Sequence, residues 1–189
     1  MAALCRAAEK CRNCPLWERA TQTVFGAGSD KAKLMIVGEQ PGDREDIEGQ
    51  PFVGPAGKLL DRALAEAGIE RSNVWVTNAV KHFKWEPRGK VRLHQKPSAG
   101  EIDACKSWLL GELQRISPEI LILLGATAAR SLMGPGVKVM TSRGIVEAPS
   151  LAPRVVLTVH PSALLRIRDS EGREDAYRDF VKDLAMAVK

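Results

Sequence analysis

Four short runs of apolar residues recur along the chain, and polar or turn-forming residues follow each of them. They extend from Leu34 to Gly38, from Val74 to Asn78, from Ile120 to Gly125 and from Val155 to Val159. A continuous apolar run, unlike an alternating one, is typical of a strand buried on both faces. The runs therefore predict a parallel sheet covered by helices on both sides.

Between and after these runs lie segments with helical periodicity. KLLDRALAEAG ends in Gly68, a residue that terminates helices, and SAGEIDACKSWLLGELQRI begins with Ser98 three positions before Glu101, a capping box. A third pattern is DAYRDFVKDLAMAV. Alternating strands and helices predict a three-layer α/β/α sandwich with a central, mainly parallel, four-stranded sheet. With 189 residues, 44% of them hydrophobic, we expect a single domain over residues 1–189.

Polar residues follow the first two runs, at the carboxyl edge of the sheet where such folds bind ligands. The first run leads into GEQPGDREDIEGQPFVGPAG, in which Glu39, Gln40 and Asp43 either face that edge or belong to a solvated turn. Phe52, set among Gly and Pro, indicates a small satellite core more than a stacking platform. The second run ends in Asn78, whose amide can read a base edge or simply cap the strand.

The fourth run leads into HPSALLR. There the imidazole of His160 could donate to an oxygen that gains negative charge as a bond breaks. Leu164 and Leu165 beside Arg166 suggest an apolar wedge with a phosphate-binding partner. An equally good interpretation is a helix start whose leucines face the core.

Cysteine and histidine residues form a possible metal site. Cys11 and Cys14 lie in CRNCPLW, His82 follows the second run, and Cys105 lies on a predicted helix. Three thiolates and an imidazole suit tetrahedral zinc, or a [4Fe-4S] cluster with one histidine ligand, and spacing alone does not choose between them. Cys105 as a small core residue is the alternative. Cys5 lies outside the set.

Basic residues are concentrated in one segment of a chain that has 28 Lys and Arg against 23 Asp and Glu. They are Lys81, Lys84, Arg88, Lys90, Arg92 and Lys96. Phe83 and Trp85 among them are compatible with a nucleic-acid groove, although basic runs are usually solvated surface. Within this segment GKVRLHQKP carries His94, which phosphate binding alone would not require.

The motifs together resemble a known family. GEQPGD, PFVGPAG, TNAVKH, HPSALLR and CRNCPLW, in their order along nearly the whole chain, are similar to the iron-sulfur branch of the uracil-DNA glycosylase superfamily. The GEQPG form and the inserted basic loop ending in histidine resemble its UdgX group, whose members become covalently attached to uracil-containing DNA. The common four-cysteine relatives have a cysteine where this chain has His82, and they lack the loop.

The resemblance implies roles for these residues. Cys11, Cys14, His82 and Cys105 would hold a structural [4Fe-4S] cluster. Phe52 would stack on a flipped uracil, Asn78 would pair with its edge, and Gly38, Gln40 and Asp43 of the GEQPG turn would help to seat the ring. Neutral His160 would donate to uracil O2, and Glu39 would stabilise the sugar cation. Lys90, Arg92, Ser162, Leu164 and Arg166 would contact DNA.

The resemblance also implies a function for His94, which would bond to C1′ of the deoxyribose while Glu39 took up or oriented the proton on its other nitrogen. The family loop usually reads lysine, arginine, arginine, isoleucine, histidine, so Val91 replaces an arginine here. The alternatives are a glycosylase that turns over and a metal-stabilised nucleic-acid-binding module without catalysis.

The expected partner is uracil-containing DNA, with single strands accepted and free uracil as the product. The sequence shows no stretch near the roughly 20 apolar residues of a membrane span, and we expect a cytoplasmic monomer without membrane association.

Overall fold

The computed structural model describes residues 1–188, which contain seven α-helices and seven β-strands. The helices are α1 (Ala2–Ala8), α2 (Asp43–Glu48), α3 (Pro55–Glu66), α4 (Ala99–Ile116), α5 (Gly125–Met133), α6 (Pro161–Leu165) and α7 (Ser170–Ala185). The strands are β1 (Leu34–Gly38), β2 (Val74–Asn78), β3 (Trp85–Arg88), β4 (Val91–His94), β5 (Ile120–Leu124), β6 (Gly144–Val146) and β7 (Arg154–Thr158). Within this range, no helix combines the length and the apolar character needed to cross a bilayer.

Five strands form the central sheet, in the order β2-β1-β5-β7-β6. The first four are parallel and coincide with the predicted apolar runs to within one residue at each end. The predicted count of four strands was one too low, because β6 adds an antiparallel edge strand to β7. That strand has three residues and a partly exposed pattern, so it leaves no continuous apolar run in the sequence.

Helices cover both faces of the sheet, as predicted. Alternate residues of each strand point to opposite faces, so Ile36 packs in a cluster with α3 and α7, whereas Met35 packs in a second cluster with α1, α4 and α5. The capping box predicted for α4 is present, with Ser98 Oγ accepting from Glu101 N at 3.3 Å and Glu101 Oε2 accepting from Ser98 N at 2.6 Å.

Strand register brings the site residues together. Leu34 is paired with both Val74 and Ile120, so β1, β2 and β5 begin at the same height in the sheet. Gly38 lies beside Asn78 at the carboxyl ends of β1 and β2. The segments that carry Glu39 and His160 leave this same edge.

The basic segment folds as a β-hairpin rather than as a loop. Strands β3 and β4 pair antiparallel, with Trp85 opposite His94, and Gly89 occupies the turn with φ of 60°, a conformation that glycine adopts without strain. Because β4 ends at His94, the hairpin determines where this side chain points.

Candidate active site

A cavity of about 510 Å³ opens at the carboxyl edge of the sheet. Its walls bring together ten of the residues singled out in the sequence: Glu39, Gln40, Asp43, Phe52, Asn78, His94, His160, Ser162, Leu165 and Arg166. They come from five segments of the chain, and the parallel register places them at one end of the sheet.

The floor of the cavity lies where Gly38, Asn78 and Phe52 meet. A Cβ added to Gly38 would lie 2.4 Å from Asn78 Oδ1 and 2.6 Å from Phe52 Cζ, so only glycine fits there. Phe52 has φ of 61°, a left-handed conformation rare for a bulky residue, and its ring stacks on His160 with centroids 6.1 Å apart. Phe52 thus packs in a main core cluster rather than in the small satellite core expected from the sequence, and it is also part of the cavity wall.

The protonation of His160 is set by its neighbours. Its Nδ1 accepts from the backbone N–H of Ser162 at 3.2 Å and contacts Ser162 Oγ at 2.9 Å. Burial, with His94 and Arg166 adding to it, lowers the pKa of His160 to about 4. At neutral pH the ring is therefore uncharged, and since a backbone N–H can only donate, the proton lies on Nε2.

His94 enters the cavity from the end of the hairpin. Gln40 is oriented by the backbone: its Oε1 accepts from Lys84 N at 3.1 Å, and its Nε2 donates to Gln95 O at 2.9 Å. The same Nε2 lies 2.8 Å from His94 Nε2 and so presents an N–H to the lone pair of that nitrogen. Burial lowers the pKa of His94, which Glu39 partly offsets, and so favours the neutral imidazole.

Glu39 directly follows β1 and contacts Thr127 on α5 and His94 on the hairpin. Thr127 Oγ1 donates to its Oε2 at 2.5 Å, and its Oε1 lies 3.5 Å from His94 Nε2. Both Glu39 and Gln40 face Nε2 of His94, and the role of Glu39 at the nitrogen that does not attack C1′ stays a prediction. Thr127 on α5 was not anticipated from the sequence.

An ion-pair network ties the hairpin to α2. Arg92 Nε donates to Asp43 Oδ1 at 2.5 Å, and its Nη1 donates to Asp46 Oδ2 at 2.6 Å. Asp46 is fully buried and also accepts from the backbone N–H of Thr21 at 2.9 Å. Arg92 and Asp43, predicted to contact DNA and uracil respectively, are thus engaged with each other.

Two predicted surface residues lie in the interior. Leu164, predicted to contact DNA, is 1% exposed and packs in the core, because α6 turns it toward α3 and α7; the exposed leucine is Leu165, at 44%. Lys81, counted in the basic segment, is also buried and pairs with Glu112. Lys90, in contrast, is exposed at the hairpin turn.

The cysteines and His82 gather on the side of the sheet covered by α4. Cys14 packs with Cys105 around Leu16, and burial raises the pKa of the Cys105 thiol to about 11, an effect to which Cys14 adds. Two N–H groups already point at sulfur: Trp108 Nε1 lies 3.1 Å from Cys11 Sγ and Lys81 N lies 3.3 Å from Cys105 Sγ.

The tautomer of His82 fits a ligand role. Thr23 Oγ1 donates to Ala8 O at 3.3 Å and lies 2.9 Å from His82 Nε2, so this hydroxyl accepts from Nε2–H and Nδ1 keeps its lone pair. Among residues 1–188, no three Cys, His, Asp or Glu side chains converge on one metal-ion position. Three thiols and one imidazole are donor types that fit either a zinc ion or a [4Fe-4S] cluster with one histidine ligand.

Comparison with known proteins agrees with this geometry. A family profile described as "Uracil DNA glycosylase superfamily" matches residues 25–185. The chain belongs to the uracil-DNA glycosylase superfamily. It is 37% identical to a type-4 uracil-DNA glycosylase of Thermotoga maritima over 175 residues, which are 92% of this chain and 88% of the relative.

Other type-4 uracil-DNA glycosylases are similar as well. The protein of Pyrobaculum aerophilum is 35% identical over 185 residues, 94% of this chain and 88% of the relative. That of Saccharolobus solfataricus is 44% identical over 117 residues, 61% of this chain and 51% of the relative. The family match over residues 25–185 includes the segments that form the cavity.

Several cavity residues of this glycosylase-superfamily chain were missed from the sequence. Glu45 lines the cavity and accepts from Gly42 N at 3.1 Å and from Gly54 N at 2.8 Å, which joins the GEQPG turn to the segment after Phe52. Met140 lines the mouth and is 72% exposed. Glu45 is one of four acids among residues 43–48, and the sequence does not distinguish it from the other three.

Proposed function

We propose that the protein excises uracil from DNA and then captures the deoxyribose C1′ through His94, as in the UdgX group. The observation that carries this proposal is the position of His94, whose neutral Nε2 lies inside the cavity 2.8 Å from Gln40 Nε2 and 3.5 Å from Glu39 Oε1. A histidine that only served phosphate binding would lie on the outer face of the hairpin.

The floor of the cavity would receive the flipped base. The ring of uracil stacks on Phe52, and the Asn78 amide pairs with its Watson–Crick edge, since one amide offers a donor and an acceptor side by side. Gly38 lets the ring approach the backbone, because a side chain at this position would collide with both Asn78 and Phe52.

His160 would stabilise the leaving base. When the C1′–N1 bond breaks, its electron pair goes to uracil, and the negative charge spreads to O2. The Nε2–H of neutral His160 donates to that oxygen, a contact that strengthens as charge develops. Glu39 stabilises the positive charge that remains on the sugar, and Thr127 holds this carboxylate in place.

His94 would then end the reaction. Its Nε2 lone pair forms a bond to C1′ after release of the contact with Gln40, and the resulting imidazolium loses the Nδ1 proton. Uracil takes up one proton at N1, so the exchange is balanced without an oxidant or a second substrate. An imidazole held at C1′ is a better nucleophile than water.

We infer that Cys11, Cys14, His82 and Cys105 hold a [4Fe-4S] cluster. The N–H groups of Trp108 and Lys81 that point at Cys11 and Cys105 sulfur support thiolate ligands. When bound, the cluster supplies a structural cross-link between the N-terminal segment and α4, since glycosidic cleavage needs no electron transfer.

The DNA strand would cross the cavity mouth. Arg166 and Ser162 contact phosphate there, and Lys90 attracts the DNA strand from the hairpin turn. Of the two leucines predicted to form a wedge, Leu165 takes this role. The protein acts as a monomer on uracil-containing DNA, accepts single strands and releases free uracil.

A denaturing gel tests the covalent step. The protein is incubated with a single-stranded oligonucleotide that contains one uracil, and a matched oligonucleotide with thymine serves as the control. We expect an SDS-stable shifted band with uracil only, at most one equivalent of product per protein, and a mass equal to protein plus oligonucleotide minus uracil.

Two outcomes would contradict the proposal in different ways. Alkali-cleavable abasic product beyond one equivalent of protein, without a shifted band, would show a glycosylase that turns over. A protein that leaves uracil in place would show a nucleic-acid-binding module.

A further inference from the structure

A buried ion pair lies beneath the active site, outside the cavity wall. It joins Lys81, three residues after the end of β2, to Glu112 on α4, and their side chains are 1% and 0% exposed. Burying two opposite charges costs desolvation energy, and an apolar pair would fill the same space without that cost. The groups that these charges contact indicate what the pair does.

Every hydrogen of the Lys81 ammonium has a partner. Its Nζ donates to Thr77 Oγ1 at 2.7 Å, to the backbone oxygen of Asn78 at 2.7 Å, and to Glu112 Oε2. The ammonium is therefore held in one position and offers no free N–H to a substrate.

Both carboxylate oxygens of Glu112 also have hydrogen-bond partners. Its Oε1 accepts from Gly26 N at 2.9 Å and from Trp75 Nε1 at 3.3 Å, and its Oε2 accepts from Thr77 Oγ1 at 2.9 Å. Trp75 and Thr77 belong to β2, so this carboxylate attaches α4 to the strand that carries Asn78.

The main-chain groups of Lys81 contact two further parts of the protein. Its N–H points at Cys105 Sγ at 3.3 Å, and its oxygen accepts from Val24 N at 2.8 Å. One residue thus contacts both the backbone of Asn78 and a cysteine of the predicted cluster site.

We propose that Lys81, oriented by Glu112, is a positioning residue that holds Asn78 in the geometry required to read uracil. This inference rests on the proposed function. Asn78 is the last residue of β2, where the chain leaves the sheet, and the Lys81 ammonium supplies a donor to its carbonyl oxygen. A small rotation of this peptide would move the side-chain amide against the base, and misplacements of about 1 Å can cost ~100-fold in rate.

The test replaces the ion pair by a neutral pair of similar shape, Lys81→Met with Glu112→Gln. The glutamine oxygen still accepts from Gly26 and Trp75, so neither a charge nor these donors are left unpaired. We expect kcat for uracil excision to fall ~10- to 100-fold with the KM for DNA within about 2-fold, because the change acts on the flipped base. The matched control is Lys33→Met with Glu119→Gln, which removes an exposed pair and is expected to leave kcat unchanged.

A double-mutant cycle with Asn78→Ala decides whether Lys81 acts through Asn78. We expect the Lys81 and Glu112 substitutions to cause less than about 2-fold further loss once the Asn78 amide is absent. The same loss in both backgrounds would overturn the inference. So would a fall in iron content in proportion to activity, since Lys81 would then act by retaining the cluster.

A second variant covers the case in which the double substitution does not fold. Thr77→Val removes one partner of Lys81 Nζ without leaving a charge unpaired, and we expect a smaller loss in kcat, ~3- to 10-fold, that again disappears with Asn78→Ala. A loss that persists there would overturn the inference. Wild-type excision in the same assay separates the two proposals: if the wild type does not excise uracil, the proposed function itself fails.

Discussion

The two histidines of the cavity are held by different kinds of structure. His160 lies two residues after the end of β7, and its ring is held by the backbone N–H of Ser162. His94 lies at the end of a two-stranded hairpin that is separate from the central sheet and is tied down by side chains, chiefly Arg92 and Gln40. We infer that base excision and covalent capture are separable functions, one built into the sheet and the other into an attached element.

The largest effect is expected from His94→Ser. The shifted band should be lost completely, because a serine hydroxyl has no lone pair of comparable nucleophilicity at this position. Uracil excision should persist, measured as alkali-cleavable product that now exceeds one equivalent of protein. Loss of both activities would mean that His94 acts before the C1′–N1 bond breaks, and the two regions would not be separable.

His160→Ala should reduce excision by ~100- to 1,000-fold, as removal of a donor to a developing oxyanion does in other enzymes. Capture should fall by the same factor, because it can only follow excision. Single-turnover assays of both products give the comparison. Unequal losses would show that the sheet and the hairpin do not act in this order.

Arg92→Gln should weaken the attachment of the hairpin. We expect capture to fall ~10-fold at saturating DNA, because His94 is no longer held in position. Excision should change by less than about 2-fold, because the residues that bind the base stay in place. Lys90→Gln is the matched control, since it removes a charge from the same hairpin but leaves the pairs with Asp43 and Asp46 intact. Equal losses in the two variants would indicate that Arg92 acts through DNA affinity.

The pH dependence should also differ between the two histidines. The His94 pKa is lowered from its usual 6.5, so the nucleophile is neutral at pH 7 and capture should decline only as the pH falls through this lowered value. Burial, the largest cause of the low His160 pKa, remains when His94 is replaced, so excision by His94→Ser should stay level to lower pH. Rates of both reactions between pH 8 and about 4.5 test this. Parallel profiles would assign the titration to one shared group.

Much of the sheet region could be predicted from the sequence. A strand buried on both faces leaves a continuous apolar run, and parallel strands bring their following residues to one edge, which is why Glu39, Asn78 and His160 were found together. Phe52 and Gly38 were assigned only by family resemblance, since their contact depends on a left-handed backbone conformation that the sequence does not reveal.

The hairpin region and the buried charges were harder to predict. Strand β3 reads Trp85, Glu86, Pro87, Arg88, with a proline and no apolar alternation, so its pairing with β4 follows from tertiary contacts. Lys81 was grouped with surface lysines because its partner Glu112 lies 31 positions away in the sequence. Leu164 and Leu165 are adjacent in sequence, and only the orientation of α6 decides which one is buried.

The smallest effect is expected from Val91→Arg, which places on the hairpin the arginine usual in the related loop. Val91 is 64% exposed, so the new side chain meets solvent or DNA rather than the core. If the bound DNA strand runs along β4, the new arginine adds one phosphate contact. The slope of log K against log salt concentration for single-stranded DNA should then become steeper by about 0.7. Anisotropy titrations of a uracil-free oligonucleotide at several salt concentrations measure this.

Leu110→Arg, on the outer face of α4, adds the same charge away from the cavity and should leave the slope unchanged. An unchanged slope in Val91→Arg as well would mean that DNA does not reach position 91, so the hairpin would serve mainly to carry His94.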